Sequence, residues 1–221
     1  MRGIILVLLI CLVDPQPAMA GAWLREKGRG FLAVSSMVRG VSPVRDYEAD
    51  IYMDYGAHED LTIGLSLNDK PGISGHILAF ARLPLMQLDE ETQLAVELGV
   101  GGHQVFGTWN PMYRLALSYG FGFSGWAGPG WLAVDSAVEH RTRLGKPVLK
   151  LDAAIGSSSA NKVRPLLQLE TAMAQNTRFQ WAVTPSLMIS GLGDATLVIG
   201  VQRRSYGRHR TGLKIALWRN F

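Results

Sequence analysis

Two serine–histidine pairs are the residues of this chain best suited, by type and spacing, to hydrolytic chemistry. Ser74 lies two residues before His76, and Ser136 lies four residues before His140. A histidine next to a serine can accept its proton and so activate the hydroxyl as a nucleophile. Such spacings are also frequent by chance. The sequence therefore predicts a protein that is not an enzyme and keeps hydrolysis as an alternative.

Metal, cofactor and thiol chemistry have less support. The histidines show no ligand spacing of the HExxH kind; they are His58, His76, His103, His140 and His209. Cys11 is the only cysteine, and it lies in a segment that we expect to be removed. No disulfide and no thiolate site is then expected in the mature chain. We predict no metal site and no cofactor.

A third set of candidate functional residues consists of charged side chains that alternate with apolar side chains along the sequence. The acids are Glu48, Asp50, Asp54, Glu97, Asp135, Glu139, Asp152 and Glu170. The bases are Arg82, Arg114, Lys150, Arg164, Arg178, Arg204 and Lys214. On β-strands these charges would share one face, either as a polar pore lining or as ion pairs that fill a narrow barrel. Their near balance slightly favours ion pairs, because a selective pore usually has an excess of one sign.

The elements that must position these charges are strands, because period-two alternation runs through the chain after residue 20. The clearest run places Tyr113, Leu115, Leu117, Tyr119, Phe121 and Phe123 on one face. Turn signals separate such runs at residues 58–60, 68–72, 128–130, 145–147 and 191–194. With weaker runs near residues 31–40, 73–84 and 131–141, the count is about twelve strands, and an even number is typical of a single-chain outer-membrane barrel.

The polar face distinguishes a membrane barrel from a soluble β-sandwich, whose strands also alternate. A sandwich should expose lysine, glutamate and threonine there, whereas this face has glycine, alanine, serine and isolated charges. Small residues fit the crowded interior of a small barrel, with large apolar side chains facing lipid. We predict an all-β fold, an antiparallel transmembrane β-barrel of about 12 strands.

The first twenty residues have the features of a signal peptide. Arg2 precedes an apolar run at residues 4–13, and Ala18 and Ala20 have the spacing that signal peptidase reads. The run is roughly half the length that spans a bilayer as a helix. Ile10 before Cys11 argues against lipidation, because a small residue is needed there. We predict a signal peptide at residues 1–20 and an outer-membrane β-barrel at residues 21–221.

Basic residues suggest partners at the membrane surface. The formal net charge is +4, a mild excess that in an exported chain indicates anionic lipid headgroups and no nucleic acid. Two predicted loops, residues 140–146 and 203–210, are rich in bases, and both would face outside if the termini are periplasmic. Candidate contacts to lipopolysaccharide phosphates are Arg141, Arg143, Lys146, Arg208 and Arg210. An ordinary solvated loop surface is the equally favoured alternative.

Three segments carry a resemblance to known proteins. The final residues, TGLKIALWRNF, alternate up to Phe221 and resemble the C-terminal assembly signal of bacterial outer-membrane barrels. With YGAHEDLTIGLSL at residues 55–67 and GAWLREKGRGFL at residues 21–32, the chain is similar to a small uncharacterised Gram-negative outer-membrane β-barrel family. The resemblance implies residence in the cell outer membrane and recognition by the assembly machinery, and it supplies no catalytic residues. Arg219 departs from it and would have to lie at headgroup level.

The functional prediction is an outer-membrane barrel that acts as a narrow channel for small polar solutes. The alternatives are a structural barrel without conductance and a lipid-hydrolysing outer-membrane enzyme, although neither serine–histidine pair lies in the His-x-Ser-Asn-Gly context of such hydrolases. Two hairpins make the geometry testable. A turn centred between Val105 and Phe106 sets Glu97 opposite Arg114, and a turn centred between Leu144 and Gly145 sets Glu139 opposite Lys150.

Overall fold

The computed structural model describes residues 23–40, 46–89, 91–125 and 128–221, so the predicted signal peptide lies outside the described residues. The strands are β1 Gly30–Arg39, β2 Asp46–His58, β3 Leu61–Lys70, β4 Ser74–Gln87, β5 Thr92–Val105, β6 Thr108–Gly125, β7 Gly128–Arg141, β8 Val148–Ser157, β9 Val163–Ala174, β10 Gln180–Leu192, β11 Ala195–Arg204 and β12 Thr211–Asn220. Across the described ranges no helix has the length and apolarity to span a bilayer.

The strands form a closed barrel. Each strand pairs antiparallel with the next along the chain, and β12 returns to pair with β1 from Phe31 opposite Asn220 to Arg39 opposite Gly212. Closure leaves no unpaired sheet edge. The prediction of an all-β antiparallel barrel of about twelve strands is confirmed.

The barrel has two distinguishable ends. We call the end where β1 begins and β12 finishes, at Gly30 and Asn220, the terminal end. The opposite end, at Arg39 and Thr211, is the distal end. Even-numbered strands run from the distal to the terminal end, so the predicted basic loops after β7 and β11 both lie at the distal end.

The outer surface of the barrel is an apolar band. Leu115 and Leu117 on β6 are 51% and 46% exposed although they are large and apolar. The outward-facing Asp, Glu, Lys and Arg residues of the described strands each stand next to last in a strand; they are Asp69, Arg203 and Arg219. Exposed aromatic residues lie near both ends of the band: Tyr47, Trp109 and Phe179 near the distal end, and Tyr55 and Phe221 near the terminal end. Such a band between aromatic girdles is typical of a lipid-facing barrel.

Three local predictions are wrong. The predicted turn at Gly128 to Gly130 is the beginning of β7. Glycine at position 130 leaves room for the Phe123 ring, because a Cβ there would lie 2.6 Å from the nearest ring atom. Both predicted registers are also off by two residues. Gly99, not Glu97, faces Arg114, and Val148, not Lys150, faces Glu139.

The β5–β6 hairpin shows why the first register shifts. Its turn is Phe106–Gly107, with φ of 48° and 81°, and positive values at both central residues are the geometry that suits the twist of a two-residue hairpin. The strands therefore pair as far as Val105 opposite Thr108. Because a shift of two preserves facing, every side chain keeps its predicted side of the sheet.

Candidate functional site: a charged lumen above an apolar floor

A cavity of about 670 Å³ occupies the barrel interior. It extends from Arg141, Thr177 and Tyr206 at the distal end to Phe31 and Trp218 near the terminal end. The structure brings together eleven of the fifteen predicted lumen charges around it: Glu48, Asp50, Arg82, Glu97, Arg114, Asp135, Glu139, Lys150, Asp152, Glu170 and Lys214.

The other four predicted charges do not line this cavity. Asp54 is fully buried beneath it, Arg164 donates to Ser190 Oγ at 2.8 Å, and Arg204 donates to Asp46 Oδ2 at 2.6 Å. The prediction that Arg178 lines the lumen is wrong, because this residue is exposed in the turn between β9 and β10 and does not lie on a strand. Strand β10 begins only at Gln180, and the Thr177 amide donates to Ala174 O at 3.0 Å and closes the turn that precedes it.

A first ion-pair network lies on β2, β4, β5 and β6. Arg82 faces Glu97 in register, and its Nη2 donates to Glu97 Oε2 at 2.8 Å. Arg82 also donates to the Tyr52 hydroxyl at 3.0 Å, and that hydroxyl donates to Asp54 Oδ2 at 3.0 Å. Arg114 Nε approaches Glu97 Oε1 to 3.7 Å. Glu97 and Arg114 thus interact diagonally, two positions away from the predicted direct opposition.

A second network lies on β7 and β8. Glu139 is buried and accepts from Arg141 Nη2 at 2.7 Å, while Lys150 Nζ lies 3.7 Å from its other oxygen. Lys150 Nζ is also 3.5 Å from Asp152. The prediction that Arg141 contacts lipopolysaccharide is wrong for this geometry, because a residue two positions from Glu139 shares its inward face.

Sequence reasoning missed a third network near the distal end. Arg39 Nη1 pairs with Glu48 at 2.8 Å and its Nη2 donates to Gln202 Oε1 at 2.6 Å, and Lys70 pairs with Glu48 at 2.9 Å. Arg39 is only 2% exposed. It shares a face with Met37 on a weakly alternating run, which is the signal that would have found it.

Several charges in the lumen lack an ion pair within 4 Å among the described residues. Asp50 accepts from Asn68 Nδ2 at 2.6 Å, and Asp135 accepts from the Ser118 hydroxyl. Lys214 on β12 reaches Gln168 Oε1 on β9 at 3.0 Å. Glu170 is solvent-exposed where it lines the cavity. Water or a polar solute in the lumen is therefore needed to solvate these groups.

The charges around the cavity balance in sign. The lining acids are Glu48, Asp50, Glu97, Asp135, Glu139, Asp152 and Glu170, and the lining bases are Arg39, Lys70, Arg82, Arg114, Arg141, Lys150 and Lys214. With seven of each, the lining has no excess of either sign, so the electrostatic preference for cations or anions should be weak.

An apolar floor closes the terminal end of the cavity. It is made of inward-facing side chains from β1, β7, β9, β10, β11 and β12 that pack into one buried cluster: Phe31, Trp131, Ala133, Leu166, Met188, Val198, Ala216 and Trp218. Phe31 meets the edge of Trp218 at a centroid distance of 6.0 Å. The inward face therefore has large aromatic residues in addition to the predicted small and charged ones.

The chain before β1 completes this floor. We call residues 23–28 the strap. The Arg25 amide donates to Thr62 Oγ1 at 2.8 Å, Arg25 Nε pairs with Asp54 at 2.6 Å, and the Gly28 amide donates to Gly56 O at 2.9 Å. Trp23 is 8% exposed and belongs to the floor cluster.

Glycine residues make room for the strap on two walls of the barrel. A Cβ at Gly56 would lie 2.2 Å from Glu26 O, and a Cβ at Gly120 would lie 3.0 Å from three atoms of the Trp23 ring. Since Gly56 is on β2 and Gly120 is on β6, the strap crosses the mouth of the barrel and is held on both sides.

The serine–histidine pairs lie on different surfaces. Ser74 and His76 line the cavity, whereas Ser136 and His140 are exposed on the outward face of β7. His103 is buried, with Nε2 3.0 Å from Thr142 O. No group of three or more potential metal ligands occurs within the part of the chain that the structure describes.

Solved structures with the same architecture are outer-membrane barrels. The chain superposes on the KdgM porin with a TM-score of 0.63 at 10% identity, covering 86% of this chain and 99% of the porin. The same porin in complex with disordered oligogalacturonate gives a TM-score of 0.60 at 10% identity and the same coverage. An outer-membrane channel from Pseudomonas putida F1 gives 0.58 at 10% identity, covering 95% of this chain and 100% of the channel.

Sequence comparison adds nothing to this likeness. No protein-family model matches the chain, and no curated protein matches it significantly. At 10% identity the structural likeness concerns the fold, and it agrees with a cell outer-membrane location, as does the apolar outer band. The chain has the fold of a twelve-stranded outer-membrane β-barrel.

Proposed function

We propose that the protein is an outer-membrane channel for small polar solutes, with its termini in the periplasm and its distal end outside. The observation that carries this proposal is the charged cavity of about 670 Å³, which reaches from the distal end to Phe31 and Trp218 near the terminal end. The strap is attached to the barrel wall by a hydrogen bond and an ion pair of Arg25 and by a backbone hydrogen bond from Gly28 to Gly56 of β2, and it is not one of the twelve strands. Displacing it would remove Trp23 from the floor while the wall stays closed.

The composition of the lumen supports small polar solutes. Balanced charges of both signs, with Asp50, Asp135 and Lys214 outside the ion pairs, offer hydrogen bonds without a strong field of either sign. The described distal loops are short, so a constriction must come from side chains in the lumen and not from a folded loop.

Conductance in planar lipid bilayers tests the proposal. We expect small steps with weak ion selectivity. A Lys214→Glu variant should shift the reversal potential toward cations because it exchanges the sign of one solvated lumen charge. Val163→Glu, which changes the outer surface at a strand end, is the control. Silence from protein whose folding is shown by circular dichroism would contradict the channel.

A structural barrel without conductance is the second candidate, and the apolar floor favours it. The cluster around Phe31, Trp131 and Trp218 packs buried apolar side chains across the terminal end of the lumen. The same bilayer recordings separate the two candidates. Release of fatty acid from phospholipid that is lost in His76→Ala or His140→Ala would instead favour the lipid-hydrolase alternative.

A further inference from the structure

The two rims of the barrel differ in charge. The described turns of the terminal end expose five acids, Glu59, Asp60, Asp89, Glu91 and Asp194, and one base, Lys162. The described loops of the distal end, residues 71–73, 106–107, 142–147, 175–179 and 205–210, contain no acid. They contain five exposed bases, and Arg203 stands just below them. Such segregation gives each rim a potential of its own sign.

The distal bases occupy one side of the rim. Arg143, Lys146, Arg178, Arg203, Arg208 and Arg210 belong to the three consecutive hairpins from β7 to β12, and we call these six residues the basic collar. The turns at residues 71–73 and 106–107 have no charged side chain. The collar therefore covers an arc of adjacent loops and does not surround the mouth of the lumen.

Contacts between neighbouring hairpins hold the collar together. Lys146 Nζ donates to Gln175 Oε1 and so joins the β7–β8 and β9–β10 loops. The Ser205 amide donates to Trp181 O at 2.8 Å, and the Trp181 amide donates back to Ser205 Oγ at 2.9 Å. These bonds join β10 to the β11–β12 loop, so the bases stand on a connected surface.

The collar faces lipid as well as water. Arg203 lies on the outward face of β11, where it pairs in register with Val183 and Thr211, and its Nη1 donates to Thr211 Oγ1 at 2.9 Å. Phe179, 55% exposed, lies at the same rim in the aromatic girdle. Arginine beside an aromatic girdle is at the depth of lipid headgroups. A solute that enters the lumen would not meet Arg203, whereas a membrane-anchored phosphate would.

We propose that the basic collar binds the phosphates of a membrane-anchored glycolipid in the outer leaflet. Guanidinium groups bind phosphate oxygens through paired hydrogen bonds, which supplies specificity in addition to charge. The inference rests on the proposed outer-membrane orientation. The collar differs from the contact residues predicted from the sequence in two ways. It leaves out Arg141, which donates a hydrogen bond to Glu139, and it adds Arg178 and Arg203.

Titration of bisphosphorylated lipid A into the folded protein in neutral detergent micelles tests the collar. Each basic residue near an anionic lipid surface contributes on the order of 1 kcal/mol, so Arg208→Gln/Arg210→Gln should weaken binding about 25-fold. The matched control is Arg29→Gln/Lys162→Gln, which removes the same charge from exposed residues of the terminal end and should leave Kd within about twofold.

Two lipid probes identify the ligand chemistry. Lipid A without its two phosphates should bind the wild-type protein weakly. Its affinity should be no higher than the affinity of intact lipid A for the Arg208→Gln/Arg210→Gln variant, which we call the collar variant. Equal affinity of wild type and collar variant, or equal affinity for the stripped lipid, would overturn the proposal. Inorganic polyphosphate that displaces lipid A at equal phosphate concentration would assign the site to a free polyanion instead. Conductance of the same preparation is read separately, so failure of the channel is distinguished from failure of the collar.

Discussion

The lumen is divided into two regions of opposite chemistry. Toward the distal end its wall is a set of ion pairs around the cavity, several of them buried, and toward the terminal end it is a packed cluster of aromatic and aliphatic side chains. Tyr52 stands at the boundary, because its ring stacks on Phe80 at 5.6 Å and its hydroxyl bonds Asp54 and Arg82. Inward-facing positions of the same strands thus carry charged side chains around the cavity in one half of the lumen and apolar side chains that close it in the other half.

The largest expected effect is in the charged half. Arg82→Met leaves Glu97 and Asp54 buried without their shared partner, and removal of one member of a buried pair costs about 3–5 kcal/mol. Arg114→Met is the control, because Arg114 is one fifth exposed and only 3.7 Å from Glu97, and it should cost less than about 1 kcal/mol. Urea unfolding in lipid vesicles measures both. Equal losses would show that burial does not distinguish the two arginines.

A comparable test of the floor uses two adjacent leucines. Leu166 is 3% exposed within the floor cluster, whereas Leu167 is 44% exposed on the outer surface. Leu166→Ala should lower the free energy of unfolding by about 2–5 kcal/mol because it opens a cavity in a packed cluster. Leu167→Ala should lower it by less, since lipid can fill the space. A larger loss for Leu167 would mean that the floor is not a packed core.

Removal of Phe221 should have a smaller effect on stability and a visible effect on assembly. Its amide donates to Gly30 O at 2.9 Å and its carbonyl accepts from the Gly30 amide at 2.7 Å, at the seam between β1 and β12. Two such bonds contribute about 1–3 kcal/mol together. We expect less heat-modifiable protein in outer-membrane fractions than for Phe179→Ala, an aromatic deletion in the other girdle. Unchanged levels would contradict a role of Phe221 in assembly.

Alternation in the sequence predicted the facing of side chains well because the period of a strand is fixed by its backbone. The alternation in TGLKIALWRNF puts Trp218 on the inward face and Leu217 on the outward face, and the structure agrees. Alternation does not report depth along the barrel axis, however. The convergence of Trp218, Phe31 and Trp131 at one level depends on strand stagger, which requires the closed sheet.

Strand register and the position of the strap could not be predicted from alternation, because they depend on turn conformation and on a segment that does not alternate. The register of β5 and β6 depended on whether Phe106 could adopt a positive φ, which is uncommon for an aromatic residue and was not expected. The strap has no period of its own, so Trp23 and Arg25 had no predicted role. The sequence misplaces Arg178 because the apolar alternation of β10 extends back to Phe179, whereas the strand begins only at Gln180.

The central claim, a charged lumen closed by an apolar floor that Trp23 of the strap completes, is tested most directly by single-channel conductance of Trp23→Ala and Gly120→Val. The first variant removes the ring from the floor, and the second places side-chain atoms where the ring now packs, at 3.0 Å from its nearest atoms. Trp109→Ala, which removes an exposed outward tryptophan, is the control. We predict a higher open fraction or larger steps in both strap variants and wild-type behaviour in the control. Identical recordings from all four proteins would contradict the account.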